Sequence, residues 1–85
     1  MYKATVIVKR RKDILDPQGK AAEQGAKLLG FNNVSDTKIG KYIEFFVHSN
    51  DLTVVEKEIK EYAGKLLSNP IIEDFEFKYE KVDET

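Results

Sequence analysis

Ile39-Gly40-Lys41-Tyr42-Ile43-Glu44 decides the fold of this 85-residue chain, because two similar halves meet there. Gly40-Lys41 fits a two-residue turn in which Gly takes a positive φ and the strands on either side pair as a hairpin. On the near side, Val34–Ile39 reads as a short strand. On the far side, Tyr42–His48 alternates, with Ile43, Phe45 and Val47 on one face and Tyr42, Glu44, Phe46 and His48 on the other.

Outward from that turn the same order appears twice. Tyr2–Lys9 places Ala4, Val6 and Val8 on one side of a strand and Lys3, Thr5, Ile7 and Lys9 on the other. Asp16-Pro17 then starts a helix: the carboxylate can accept from amides without helical partners, and Pro at the first position gives up only an amide that had none. Ala22, Ala26 and Leu29 form a narrow stripe of small and apolar residues, and Gly30 supplies a left-handed end. In the second half Asn50 or Asp51 caps a helix whose Leu52, Val55, Ile59, Tyr62 or Ala63, and Leu66 recur at helical spacing, until Asn69-Pro70 stops it. Ile71, Glu73, Phe75, Phe77 and Tyr79 alternate as a last strand, and Glu80–Thr85 reads as a frayed polar end. The order strand, helix, strand, strand, helix, strand predicts an α+β fold. It is a ferredoxin-like βαββαβ sandwich in which a four-stranded antiparallel sheet carries both helices on one face, as a single domain over residues 1–85. The other face would be bare, with Ile7, Tyr42 and Phe46 among Lys3, Thr5, Lys9, Glu44 and His48, and it is the predicted self-association face.

Composition narrows the function. Lys plus Arg is 14 against 15 for Asp plus Glu, so a net charge of −1 creates no field to hold a phosphate backbone, and no nucleic-acid partner is expected. There is no cysteine for a disulfide, a thiolate nucleophile or a thiolate metal site. No run approaches the roughly 18 apolar residues of a membrane span, and the first strand alternates where a signal peptide would be uniformly apolar. A cytoplasmic protein with no membrane partner is expected.

Chemistry-bearing residues are few. Lys9-Arg10-Arg11-Lys12 could hold an anion near the helix start, but Asp13 and Asp16 lie beside it, and no glycine-rich phosphate loop follows. His48 is the sole histidine and has no nucleophile or orienting acid near it in sequence. Glu56, Glu58 and Glu61 interleave with Lys57, Lys60 and Lys65 as an ion-paired helix surface does. Tyr42, Phe45 and Phe46 invite comparison with base-stacking strands, but the first strand carries no matching aromatic and Glu44 would repel phosphate. No catalytic residue and no metal site is expected.

Three stretches in this order resemble the PurS family, the small subunit of multi-subunit phosphoribosylformylglycinamidine synthase: Leu15-Asp16-Pro17-Gln18-Gly19, Ile39-Gly40-Lys41-Tyr42-Ile43-Glu44, and Lys65-Leu66-Leu67-Ser68-Asn69-Pro70-Ile71-Ile72-Glu73-Asp74-Phe75. The resemblance runs from Tyr2 to about Tyr79. It implies a non-catalytic subunit of a glutamine-dependent ligase in purine biosynthesis. A glutaminase subunit would release ammonia, a large ATP-consuming synthetase subunit would use it, and this chain would join the two as a homodimer or tetramer. It also implies that this subunit binds no cofactor, although the complex uses ATP and glutamine. Asp16, Pro17, Gln18, Gly19, Gly40, Lys41, Asn69 and Pro70 are then the candidate subunit contacts. The alternative is a small-molecule-sensing regulatory module of the ACT type, whose element order is the same and whose ligand loop Asp16-Pro17-Gln18-Gly19 with Gly30-Phe31-Asn32 faintly echoes.

Overall fold

Strand β1 (Tyr2–Arg10) is the middle strand of an antiparallel sheet, with β2 (Lys41–Val47) on one side and β3 (Glu73–Lys81) on the other. This computed structural model describes residues 1–83, so the part of the expected frayed end at Glu84 and Thr85 lies outside the described residues, while Glu80 and Lys81 belong to β3. The register sets Val6 opposite Ile43 and Phe77, and Val8 opposite Lys41 and Phe75. Ala4, Val6 and Val8 therefore share one face of the sheet and are fully buried.

Helix α2 (Leu52–Tyr62) covers that face, capped by Asp51, whose carboxylate accepts from the Thr53 amide at 2.9 Å. Its Val55 and Ile59, with Ala63 and Val47, complete the buried core, and Phe45, Phe75, Phe77 and Tyr79 pack around it. Each large aliphatic side chain so buried contributes about 1.5–3 kcal/mol. The helical stripe expected to reach Leu66 changes phase. Residues Ala63–Leu67 form a π-helical turn, closed by the Ser68 amide and hydroxyl, which both donate to the Ala63 carbonyl at 2.9 and 2.8 Å. The wider turn leaves Leu66 exposed and brings Leu67 against the core.

Two expectations are corrected. The sheet has three strands, because Val34–Ile39 pairs with none of them. Its backbone groups go elsewhere: the Thr37 amide donates to the Glu23 carboxylate and the Ile39 amide to Asp16 Oδ2 at 2.7 Å. Asp36 sits at φ 55°, which breaks any extended run. Gly40 accordingly does not turn a hairpin, and Gly30, at φ 92°, is the only glycine with positive φ among the described residues. A Cβ at Gly40 would stand 2.2 Å from the Val8 carbonyl oxygen, so the position needs glycine for close backbone approach.

The second correction concerns α1 (Pro17–Leu28). It adds no side chain to the core, and Gly19 is its only buried residue, so α2 alone covers the sheet. Leu28 is 89% and Leu29 79% exposed. The molecule is correspondingly elongated, 50 × 29 × 15 Å with a radius of gyration of 16.7 Å. A compact domain of this length would have about 12 Å.

Candidate functional site

Because β1 is antiparallel to both neighbours, its carboxyl end, the start of β2 and the start of β3 lie at one end of the sheet. The three quoted stretches are collected there. Adjacent residues of β1 and the loop that follows tie them together: Arg10 reaches toward the start of α1 and Arg11 toward the turn before β3.

Asp16 is the hub of the first group and is only 2% exposed. Its Oδ1 accepts from the Gln18 and Gly19 amides at 3.0 and 3.1 Å, which caps α1, and its Oδ2 accepts from Ile39. Arg10 Nε stands 3.8 Å from Oδ2, while its Nη1 donates to the Leu15 carbonyl at 3.4 Å. Gly19 belongs to the same joint, since a Cβ there would lie 1.9 Å from the Thr37 carbonyl oxygen. One carboxylate thus joins the helix start to the segment that precedes β2. Gln18 and Pro17 are exposed, and no hydrogen bond of the Gln18 side chain is found in this joint.

The amide of Ile39, then that of Gly19, holds the Asp16 carboxyl below the ordinary carboxylate range; the Thr37 amide does the same for Glu23. For a depressed acid the stabilisation is fully present above the unfolded-state pKa, about 4, and is lost as pH falls through the folded-state value. The joint should therefore hold at neutral pH and loosen below about pH 4. Thermal melts between pH 7 and pH 3 check this. Asp16→Asn should melt lower than the wild type at pH 7 and lose less of its Tm on acidification, and parallel Tm curves for the two proteins would refute the assignment.

The second group is the turn before β3. Asn69 Oδ1 accepts from the Ile71 amide at 3.1 Å, its carbonyl accepts from Ile72 and Glu73 at 3.1 and 2.7 Å, and its amide donates to Glu73 Oε1 at 2.8 Å. Arg11 closes the turn from outside. Its amide donates to the Ile72 carbonyl at 2.9 Å, Nη2 to the Pro70 carbonyl at 2.6 Å and Nε to Asp74 Oδ1 at 3.2 Å. Asn69 and Pro70 are exposed, as is Lys41 at the first rung of the β1–β2 ladder.

The basic run is thereby largely accounted for. Lys9 pairs with Glu76 at 3.3 Å, Arg10 with Asp16 and Arg11 with Asp74, and Lys12 alone has no carboxylate partner among the described residues. The run is evident in the sequence but its use is not; the signal for that use is the set of acids, Asp16 and Asp74, inside the neighbouring motifs. Glu23 as a partner of the Thr37 amide had no such signal. His48 lies at the opposite end of the sheet, exposed, just after β2. Among the described residues no cluster of three or more His, Asp or Glu could hold a metal ion, and no helix is long and apolar enough to cross a membrane.

On the sheet face away from α2, Tyr42 and Phe46 are exposed and Ile7 is half-buried. Tyr42 is opposite Ile7, but Phe46 is opposite Lys3, and the Lys3–Glu44 ion pair at 2.8 Å lies between them. The three residues share a face without forming one continuous apolar patch. What the collected end offers chemically is shape: its buried carboxylate is taken up by three backbone amides, at the wall of an open pocket shared with Lys20, Glu23, Asp36 and Lys38.

Residues 3–81 match the family model described as PurS: Phosphoribosylformylglycinamidine (FGAM) synthase. The PurS subunit of this synthase from Methanocaldococcus jannaschii is 41% identical over 98% of this chain and 100% of its own length. Its crystal structure superposes with a TM-score of 0.80 over the same shares. A structure of Bacillus subtilis PurS, 38% identical, gives a TM-score of 0.83 over 95% of this chain and 100% of that one.

Proposed function

The chain belongs to the PurS family of phosphoribosylformylglycinamidine synthase, and from that premise we propose that it is the non-catalytic subunit that joins the other two. A glutaminase subunit frees ammonia, and an ATP-dependent synthetase subunit uses it to turn formylglycinamide ribonucleotide into the amidine. ATP and glutamine are bound by those subunits and no cofactor by this one, in the cytoplasm.

One observation carries this reading. The central polar groups of the motifs that place the chain in the family, Asp16 and Asn69, are spent within and between those motifs, and Arg11 ties down the last of them, so that what they build is a shaped surface. Self-association as a dimer or tetramer belongs to the same proposal, supported by the elongated shape and by Leu28, Leu29 and Phe31 left largely exposed on and just beyond α1.

Sedimentation of the purified chain, alone and mixed with the two larger subunits, tests it. The chain alone should sediment well above its 9.8 kDa monomer mass and should join both partners in one complex. Sedimentation as a monomer would remove the self-association, and failure to bring the partners together would remove the bridging role. In the same experiment Gln18→Ala should leave the Tm unchanged and weaken the complex. Undiminished assembly would leave Asp16–Gly19 as a structural joint only.

A further inference from the structure

The turn Asn69–Asp74 displays Ile71, which is 77% exposed, at its tip. An exposed isoleucine by itself needs no explanation. This one stands on a turn fixed from within by Asn69 and Glu73 and from outside by Arg11, whose guanidinium holds both the Pro70 carbonyl and the Asp74 carboxylate. Pro70, immediately before Ile71, further restricts the backbone. The backbone that carries Ile71 has thus lost its freedom before any encounter, which lowers the ordering cost of burying that residue in a partner.

Resting on the bridging role above, we propose that Arg11 is a positioning residue for synthase assembly and that Ile71 is the apolar anchor it presents to a larger synthase subunit. The surroundings favour a different protein over a second copy as the occupant. Ile71 follows the Pro70 carbonyl that Arg11 holds, beside the exposed Arg11–Asp74 pair, which carries both signs of charge. A central anchor inside a charged rim is the anatomy of a complex between separately folded proteins, whereas subunits of a permanent homodimer bury broader apolar areas. The broader apolar exposure of this chain lies instead on and after α1, at Leu28, Leu29 and Phe31. The partner should offer an apolar pocket with polar groups of both signs at its edge.

The test titrates the full-length chain and its variants against the purified glutaminase and synthetase subunits, separately and together. Ile71→Ser keeps the backbone amide that donates to Asn69 Oδ1 and removes no other hydrogen bond of the turn, so Tm and self-association should stay at wild-type values. Affinity for one larger subunit should fall roughly 10- to 100-fold. Arg11→Ala should weaken the same affinity. Its effect should largely vanish when Ile71 is already Ser, a coupling that a purely stabilising arginine would not show. Arg11→Lys, which cannot reach two acceptors with a planar fork, should restore only part of the loss. Wild-type affinity of Ile71→Ser for both larger subunits overturns the inference while the bridging role stands, and so does a loss confined to self-association. If the wild-type chain binds neither subunit, the bridging role itself has failed.

Discussion

Glutamine-dependent amidine synthesis by the two larger subunits is expected to fall by at least about 100-fold when this chain is left out, at subunit concentrations below their direct affinity for each other. The size follows from linkage: a bridge turns the second binding event into an intramolecular one, and avidity gains of about 10²–10⁴ are usual for linked modules. Synthesis from added ammonium should change little, because free ammonia needs no neighbouring glutaminase. The purified chain alone should turn over neither glutamine nor ATP. Steady-state rates with glutamine and with ammonium, each with and without the chain, give the comparison. Undiminished glutamine-dependent synthesis without the chain, or an equal loss with ammonium, would defeat the bridging role.

The second large effect is on folding. Gly19→Ala and Gly40→Ala would each place a methyl group against a backbone carbonyl oxygen, 1.9 Å from Thr37 O and 2.2 Å from Val8 O. A backbone carbonyl cannot swing aside as a side chain can. At Gly19 the start of α1 would have to leave Thr37, taking apart the Asp16 joint; at Gly40 the entry to β2 would have to leave β1. Overpacking of this kind costs about 1–3 kcal/mol or more. In a domain of this size that lowers Tm by roughly 15 °C. Gly25 is the control, since it lies in α1 with nothing within 4 Å of the position a Cβ would take. Gly25→Ala should raise stability by about 0.5–1 kcal/mol through helix propensity. If all three variants melt together, the close approaches are not rigid features of the fold.

The strength of Asp16 as a hub ties these results to the interaction site. Acid, Asp16→Asn and Gly19→Ala should all loosen the same contact between α1 and the 37–39 segment, so each should also weaken assembly if that end of the molecule is the docking end. Gln18→Ala and Ile71→Ser should weaken assembly without loosening anything. The two sets separate surface shape from surface contact.

Much of the molecule was determined by sequence alone. The alternation of Ala4, Val6 and Val8, the cap Asp16-Pro17, the left-handed Gly30, the stripe Val55, Ile59 and Ala63, and the alternation of Phe75, Phe77 and Tyr79 are local patterns with local causes, and each stands where its period places it. The resemblance carried by the three joints is local in the same sense, and the family membership confirmed it. Tertiary structure decided the rest, because the competing partners come from far along the chain. Val34–Ile39 has the composition of a strand, but the amides of Thr37 and Ile39 are taken by Glu23 and Asp16, 14 and 23 residues away, and no local period records that competition. Gly40-Lys41 fits a positive-φ turn by composition, yet what requires glycine there is the Val8 carbonyl, which meets it only once β1 lies beside β2. The π-helical turn moved Leu66 out and Leu67 in, a phase change that an even helical period cannot anticipate. Arg11 looked like part of a charge run until β1 and the turn before β3 met and gave it the Pro70 carbonyl and Asp74 to hold, 59 and 63 residues distant.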